Sequence, residues 1–140
     1  MSGDREIAAC SSPSRSYVVD ELLAQHAELR VIIERCERLA DEVGRGAAEP
    51  ASLTREVARL RLAFDAHNRC EERSLRPLLA DSGAFAEVRL DRMCSDHADE
   101  HRMMRGGLGV GVLDQLHATL ARLRDHLATE ERYFLSAPPA

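Results

Sequence analysis

The sequence predicts an all-α protein, an up-down-up-down antiparallel four-helix bundle, and three observations support this fold class. Apolar residues recur at intervals of three and four along four segments, which is the spacing of a helix with one buried face. Short stretches rich in glycine, proline and serine separate these segments, and none of the segments alternates as a strand would. The chain has 140 residues, enough for about one domain, so four closely connected helices favour a single bundle.

The first predicted helix follows an N-terminal arm. Residues 1–16 contain serine, proline and charged residues without helical periodicity, so we expect a disordered or loosely attached arm. Residues 17–136 are expected to form the bundle, and residues 137–140 a short tail. Helix one should end at Gly44 and Gly46. The residues of its predicted buried face are Val19, Leu22, His26, Leu29, Ile33, Cys36, Ala40 and Val43.

The second predicted helix begins after Pro50, with Ser52 as the expected N-cap. Its buried face is predicted to be Leu53, Val57, Leu60, Phe64, His67, Glu71 and Leu78. A turn at residues 81–83 separates it from the third helix, which should end among four glycines between residues 106 and 111.

The third and fourth helices show the same periodicity. The buried face predicted for the third helix is Leu90, Cys94, His97, His101, Met104 and Leu108. The face predicted for the fourth is Val112, Leu116, Leu120, Leu123, His126, Glu130 and Phe134. The fourth helix should end before Ser136 because two prolines follow closely.

Composition excludes several classes of function. The chain carries 19 basic and 24 acidic residues, a net charge of -5, which argues against nucleic acid or an anionic membrane as partner. No apolar run approaches the roughly 20 residues that a membrane span needs.

The four cysteines form no CxxC pair, so we expect small buried thiols in a reducing, cytoplasmic setting rather than disulfides or a zinc ribbon. Cys70, next to Glu71, is the cysteine best placed for a role beside a functional site.

Seven polar residues occupy predicted buried positions where leucine would be expected: His26, His67, Glu71, His97, His101, His126 and Glu130. Burying an unpaired carboxylate costs several kcal/mol, so these groups need a partner, and a bound cation is a common one. Six of the seven form three pairs spaced four residues apart, which places each pair on one face of its helix. His26 adds a single nitrogen from the first helix.

Seven ligands exceed the needs of one tetrahedral zinc ion. Two octahedral ions that share carboxylate bridges and an oxo or hydroxo bridge require about this number. Imidazoles with carboxylates suit iron, although ligand type alone leaves zinc, manganese and cobalt open.

A plain hydrogen-bonded network without metal would explain any one pair, but it explains less readily why five of the six histidines lie on predicted buried faces. His117 lies on the opposite side of its helix from His126, and we exclude it as a ligand.

An internal repeat supports two half-sites. Residues 64–73 and 123–132 share His, Glu, Glu and Arg at matched offsets, and the residues around His26 resemble those around His97. Each half therefore supplies one lone histidine and one HxxxE helix. The residues that follow in the repeat, Glu72, Arg73, Glu131 and Arg132, are expected to form solvated faces.

The order H, HxxxE, H, HxxxE over about residues 17–136 resembles the hemerythrin-like family of HHE cation-binding domains. The resemblance includes HxxxEE followed by leucine and proline, here His67, Glu71, Glu72, Leu75 and Pro77. It implies a four-helix bundle with a non-heme diiron centre that binds oxygen, nitric oxide or peroxide. It also implies an assignment of ligands in which Glu71 and Glu130 bridge the irons, one iron being held by His97, His101 and His126 and the other by His26 and His67.

Two departures leave the class within the family open. The HxxxH of the third helix resembles the oxygen-carrying hemerythrins, whereas the HxxxE of the fourth resembles the wider HHE group. Glu131 would supply the longer spacing of the former, so either Glu130 or Glu131 is the bridge. His101 is either a ligand or a hydrogen-bond donor behind the ligands.

The functional expectation is a diiron protein that binds a small oxidant or diatomic ligand (O2, NO or H2O2) at an open iron position. Such a protein would bind or sense oxygen, or handle oxidative or nitrosative stress. One alternative is a catalase- or peroxidase-like enzyme that decomposes peroxide. Another is a helical partner-binding module in which the metal is structural.

Overall fold

A computed structural model describes residues 14–80, 86–106 and 112–135 of the chain, without the side chains of residues 79, 80, 86, 87, 101, 103–106 and 112. These residues form four α-helices and no strand: α1 (Arg15–Gly44), α2 (Pro50–Ala80), α3 (Ala86–Gly106) and α4 (Val112–Tyr133). The predicted all-α fold is confirmed.

The helices pack in a closed ring. α1 packs against α2 and α4, and α3 packs against α2 and α4. Short connections join consecutive helices, so neighbours along the chain run antiparallel, as in an up-down-up-down bundle. In the described part of the chain, no helix has the length and apolar character needed to cross a membrane.

Local sequence explains where α1 and α2 begin. Ser14 caps α1, because its Oγ accepts a hydrogen bond from the backbone N–H of Tyr17 at 3.2 Å. The prediction that Ser52 caps α2 is wrong, since α2 already begins at Pro50. Proline suits the first position of a helix, where its missing N–H is not needed and its φ is already helical.

Two apolar clusters fill the bundle. The larger cluster lies towards the C-terminal end of α1 and includes Ile33, Leu60, Phe64 and Leu120. The smaller cluster lies at the opposite end and is formed by Val18, Leu22, Leu75, Leu90, Met93 and Leu135. Along α1 and α2, the polar residues singled out from the sequence fall between the positions that supply the two clusters. On α4, Glu130 does so as well, and His126 lies beside Leu127, at the edge of the larger cluster.

The buried face of α3 is rotated slightly from the predicted one. Among the described side chains of α3, Leu90, Met93, His97 and Glu100 are buried, whereas Cys94 is only half-buried. Both series alternate steps of three and four residues, so the periodicity alone cannot separate them. The side chains of His101 and Met104, and the whole of Leu108, lie outside the described residues.

Candidate metal centre

All four helices contribute to a buried polar cluster, which we call the His/Glu cluster. It consists of six of the seven residues predicted from the sequence: His26, His67, Glu71, His97, His126 and Glu130. His26 and Glu71 are at most 1% exposed, and the cluster is held between the two apolar clusters. The seventh predicted residue, His101, belongs to α3, but its side chain lies outside the described residues.

Glu71 faces histidines of both halves of the bundle. Its Oε2 lies 2.9 Å from His67 Nε2 and 3.7 Å from His26 Nε2. Its other oxygen, Oε1, lies 3.2 Å from His97 Nε2. One carboxylate therefore has an oxygen for each half, which is the arrangement of a bridging ligand.

Glu130 occupies the equivalent position on α4. Its Oε1 lies 3.3 Å from His26 Nε2 and 3.2 Å from His126 Nε2. Its Oε2 lies 3.5 Å from His97 Nε2. Glu130 thus also faces both halves, and all four imidazoles direct Nε2 towards the two carboxylates.

The outer nitrogen of His67 has a hydrogen-bond partner, whereas that of His26 has only a carboxylate nearby and makes no hydrogen bond. His67 Nδ1–H donates to Gln25 Oε1 at 2.8 Å, while Gln25 Nε2 donates to Cys70 Sγ at 3.4 Å. His26 Nδ1 lies 3.4 Å from Glu131 Oε2. A hydrogen on Nδ1 of His67 leaves its Nε2 as the lone-pair atom, so the Gln25 contact orients this ring for metal binding.

The other two histidines are oriented by carboxylates. His97 Nδ1 lies 3.0 Å from Glu72 Oε1, and His126 Nδ1 lies 2.6 Å from Glu100 Oε1. Glu100 is only 7% exposed. Both contacts again place the proton on the outer nitrogen and leave Nε2 facing inwards.

Four residues behind the cluster were missed in the sequence analysis. The expectation that Glu72 and Glu131 belong to purely solvated faces is wrong, because both contact outer histidine nitrogens. Their matched places in the HxxxEE repeat were a signal. Gln25 could have been recognised only because it precedes His26 in the sequence. Glu100 gave no signal in the sequence, because the equivalent residue in the first half of the repeat is the apolar Leu29.

Glu130 and Glu131 differ clearly in position. Glu130 is 3% exposed and lies within the His/Glu cluster. Glu131 is half-buried and forms a two-point ion pair with Arg30, in which Nη1 lies 2.9 Å from Oε1 and Nη2 contacts Oε2. Of the two candidate bridges, the structure thus brings Glu130 into the cluster.

His117 lies apart from the cluster, as the sequence analysis expected. Its Nε2 lies 3.3 Å from Asp41 Oδ1, and its side chain is 40% exposed.

Among the cysteines, Cys36 is fully buried, and burial raises the pKa of its thiol to about 12. Cys36 therefore serves as a small apolar core residue.

The electrostatics of the cluster favour a cation. Burial alone lowers the pKa of His26 and His97, but contacts with Glu130 and Glu71 outweigh it and raise the pKa values to about 9 and about 11. Burial alone raises the pKa of Glu130, but four histidines outweigh it and hold this pKa well below its usual range. Burial alone likewise raises the pKa of Glu71, but contacts with His26, His67 and His97 outweigh it and lower this pKa. Both carboxylates are thus ionised and require positive charge beside them.

The donor atoms fit a metal ion. Both oxygens of Glu71 and of Glu130, with Nε2 of His97 and of His126, are buried and make no well-oriented hydrogen bond. Unsatisfied buried polar atoms are rare in proteins and costly, and a metal ion would satisfy them together. Two sets have donor atoms within 4.8 Å of one another: His26, His67, Glu71 and Glu130 in one, and His97, His126 and Glu130 in the other.

Comparison with known families agrees with this geometry. The family model of the hemerythrin HHE cation binding domain matches residues 17–137, and the chain therefore belongs to the hemerythrin HHE family. Neither the curated proteins nor the solved structures gave a significant match. The chain is a hemerythrin-like metal-binding domain whose buried His/Glu cluster is suited to a metal.

Proposed function

We propose that the chain is a non-heme diiron protein that binds a small oxidant or diatomic ligand: O2, NO or peroxide. The proposed ligands are His26, His67, Glu71, His97, His101, His126 and Glu130. The observation that carries the proposal is the position of Glu71 and Glu130, each of which faces imidazoles of both halves. Glu71 directs one oxygen to each half, while Glu130 directs Oε1 to His26 and His126 and Oε2 to His97.

Two ions fit this arrangement better than one. The described donors divide into two sets that share Glu130, and Glu71 reaches from one set to His97 of the other. A single ion needs at most six donors, whereas two ions with shared carboxylates use all seven proposed ligands. The imidazole and carboxylate donors suit iron, and no thiolate stands among them to favour zinc or a cluster.

The two halves differ in the number of imidazoles. We assign three to one half, namely His97, His101 and His126, and two to the other, namely His26 and His67. In the repeat, Arg30 of α1 is the residue equivalent to His101 of α3, and Arg30 forms an ion pair with Glu131. α1 therefore supplies no third imidazole. The half with His26 and His67 therefore retains a coordination position for an external ligand.

The protein's own residues would hold and shield the centre. Gln25, Glu72 and Glu100 contact the outer nitrogens of His67, His97 and His126 and keep Nε2 directed inwards. The two apolar clusters limit access of water from both ends of the bundle. Iron held there would supply a reversible change of oxidation state and an open position for a small ligand.

The test is metal analysis and optical spectroscopy of protein from iron-supplemented cells. We expect about two irons per chain and a visible spectrum that changes on reduction and on addition of O2, NO or azide. About one zinc and no iron would refute the proposal. Oxygen evolution after peroxide is added to the oxidised protein would identify an enzyme rather than a carrier or sensor.

A further inference from the structure

Two cavities flank the histidines of the HxxxE motifs at positions related by the internal repeat. One, the α1–α2 cavity, has about 220 Å³ and is lined largely by apolar groups, with Leu29, Ile32, Ala63, Ala66 and His67 among them. The other, the α3–α4 cavity, has about 340 Å³ and is lined by Asp96, Asp99, Glu100, Arg122, Asp125 and His126 among others.

The difference between the cavities comes from substitutions at equivalent repeat positions. Relative to the α1–α2 cavity, the α3–α4 cavity has an acid in place of an amide, an aliphatic side chain and a methyl group: Gln25 corresponds to Asp96, Leu29 to Glu100 and Ala66 to Asp125. Since the helices and the histidine are otherwise matched, the change in charge is confined to one side of the bundle.

Glu100 shows that this charge is more than a solvated surface. Its side chain is at least nine-tenths buried, and its Oε1 lies 2.6 Å from His126 Nδ1. Its Oε2 is buried and has no hydrogen-bond partner among the described residues. A buried carboxylate oxygen without a partner is costly, and a cation in the adjoining cavity would satisfy it.

The remaining charges favour a cation at the same place. Asp96 and Asp125 are exposed at the cavity, while Asp99 pairs with Arg102 outside it. Leaving that pair aside, three carboxylates face one guanidinium, that of Arg122. The acids thus extend from solvent, at Asp96 and Asp125, to the buried Glu100 beside the His/Glu cluster.

We propose that the α3–α4 cavity is a capture site for a divalent cation on its way to the metal centre. Asp96 and Asp125 attract the hydrated ion, and Glu100 replaces some of its water next to His126. Carboxylate and water oxygens are the donors that a hydrated Fe²⁺ or Mn²⁺ accepts without demanding fixed geometry. The inference rests on the proposed function, because it presupposes that the centre holds iron.

The test is a titration of the iron-loaded protein with Mn²⁺, followed by electron paramagnetic resonance of the free ion. We expect one Mn²⁺ per chain beyond the two irons. The double variant Asp96→Asn with Asp125→Asn should bind it about tenfold more weakly, because affinity follows the number of charged ligands. Glu28→Gln, the matched control in the α1–α2 cavity, should bind it as the wild type does.

A second measurement addresses loading. Cells expressing each protein are grown at graded iron supply, and iron per chain is measured. The double variant should reach full iron content only at a higher supply than the wild type and Glu28→Gln require.

The outcomes separate the two proposals. Absence of Mn²⁺ binding beyond the irons, or equal Mn²⁺ binding by the wild type and the double variant, would overturn the capture site alone. Full loading of the double variant at the same iron supply as the wild type would overturn it too. A wild-type chain that purifies without iron would instead refute the diiron function.

Discussion

At the scale of single residues, the centre depends on contacts behind the proposed ligands. Three of the four described histidines of the His/Glu cluster have a close partner at Nδ1, and no two share the same one, whereas His26 Nδ1 lies 3.4 Å from Glu131 Oε2 without a hydrogen bond. Such partners fix which nitrogen carries the proton, and their loss weakens metal binding without removing a ligand. Glu72 offers the simplest case, because it is half-buried and reaches His97 from the adjacent helix.

We expect Glu72→Ala to lower iron affinity by about ten- to a hundredfold while the bundle stays folded, because His97 loses the acceptor that orients it. The measurement is iron retained after dialysis against a graded series of chelator concentrations. Arg73→Ala is the matched control, since the neighbouring side chain is exposed. Equal retention by both variants would show that the Glu72 contact has no effect on the metal.

His67→Ala should lose iron and thermal stability together, because the metal centre completes the core between the two apolar clusters. Iron content and the melting temperature of the same preparations are the measurements. His117→Ala should keep its iron, since His117 faces Asp41 rather than the cluster. Iron loss in His117→Ala would mean that the orientation of α4 is different from the one described.

The sequence predicts those residues of the candidate site that occupy buried positions of the helical apolar spacing. Polar residues in leucine positions identified His26, Glu71 and their fellow cluster members, because burial of such groups requires a common partner. Glu100 could not be found in this way. Glu100 lies three residues after the buried His97, and His101 lies four residues after it. Both spacings fit one helical face.

At the scale of the helices, α1 begins at a defined cap. Ser14 Oγ satisfies the N–H of Tyr17, and Ser14 itself is exposed. The sequence predicts that the bundle begins at residue 17, because Ser14 and its neighbours carry no apolar periodicity. A cap acts through one hydrogen bond and leaves no periodic signal, so helix ends are harder to predict than buried faces.

Ser14→Ala should destabilise the iron-loaded protein by about 1 kcal/mol, the usual effect of removing a serine N-cap. Urea unfolding followed by circular dichroism measures the change, and the slope of the transition should not change. Ser16→Ala, at an exposed position inside the first turn, is the control. The cap would be discounted if the two variants had the same midpoint.

At the scale of the whole molecule, the fold followed from the sequence because four apolar faces and short connections leave few arrangements. The relative rotation of α3 did not follow, since Met93 and Cys94 are both apolar and adjacent. Only packing against α2 and α4 selects Met93 for the buried side.

The protein without metal should lose stability as pH rises. The pKa values of His26, His126 and His97 are raised to about 9, about 10 and about 11 in the folded protein, against about 6.5 in an unfolded chain. The folded state therefore binds more protons between these limits. Its stabilisation is complete below about pH 6.5 and is lost as pH rises through the folded values.

Thermal unfolding of chelator-treated protein between pH 6 and pH 10 measures this dependence. The iron-loaded protein should not show the same decline, because the metal takes the place of the protons on Nε2. His117→Ala, whose substitution is outside the cluster, should follow the wild type in both states. A melting temperature of the metal-free wild type that rises over this interval would contradict the expectation.

The separation of the two apolar clusters has a consequence for cooperativity. The clusters share no residue, and the layer between them is made largely of polar side chains that meet through ion pairs, hydrogen bonds and ring contacts. With the metal in place, one set of bonds joins all four helices, so the two ends of the bundle should unfold in a single transition. Once it is removed, each end depends on its own leucines, and the smaller end, around Leu22 and Leu75, should open first.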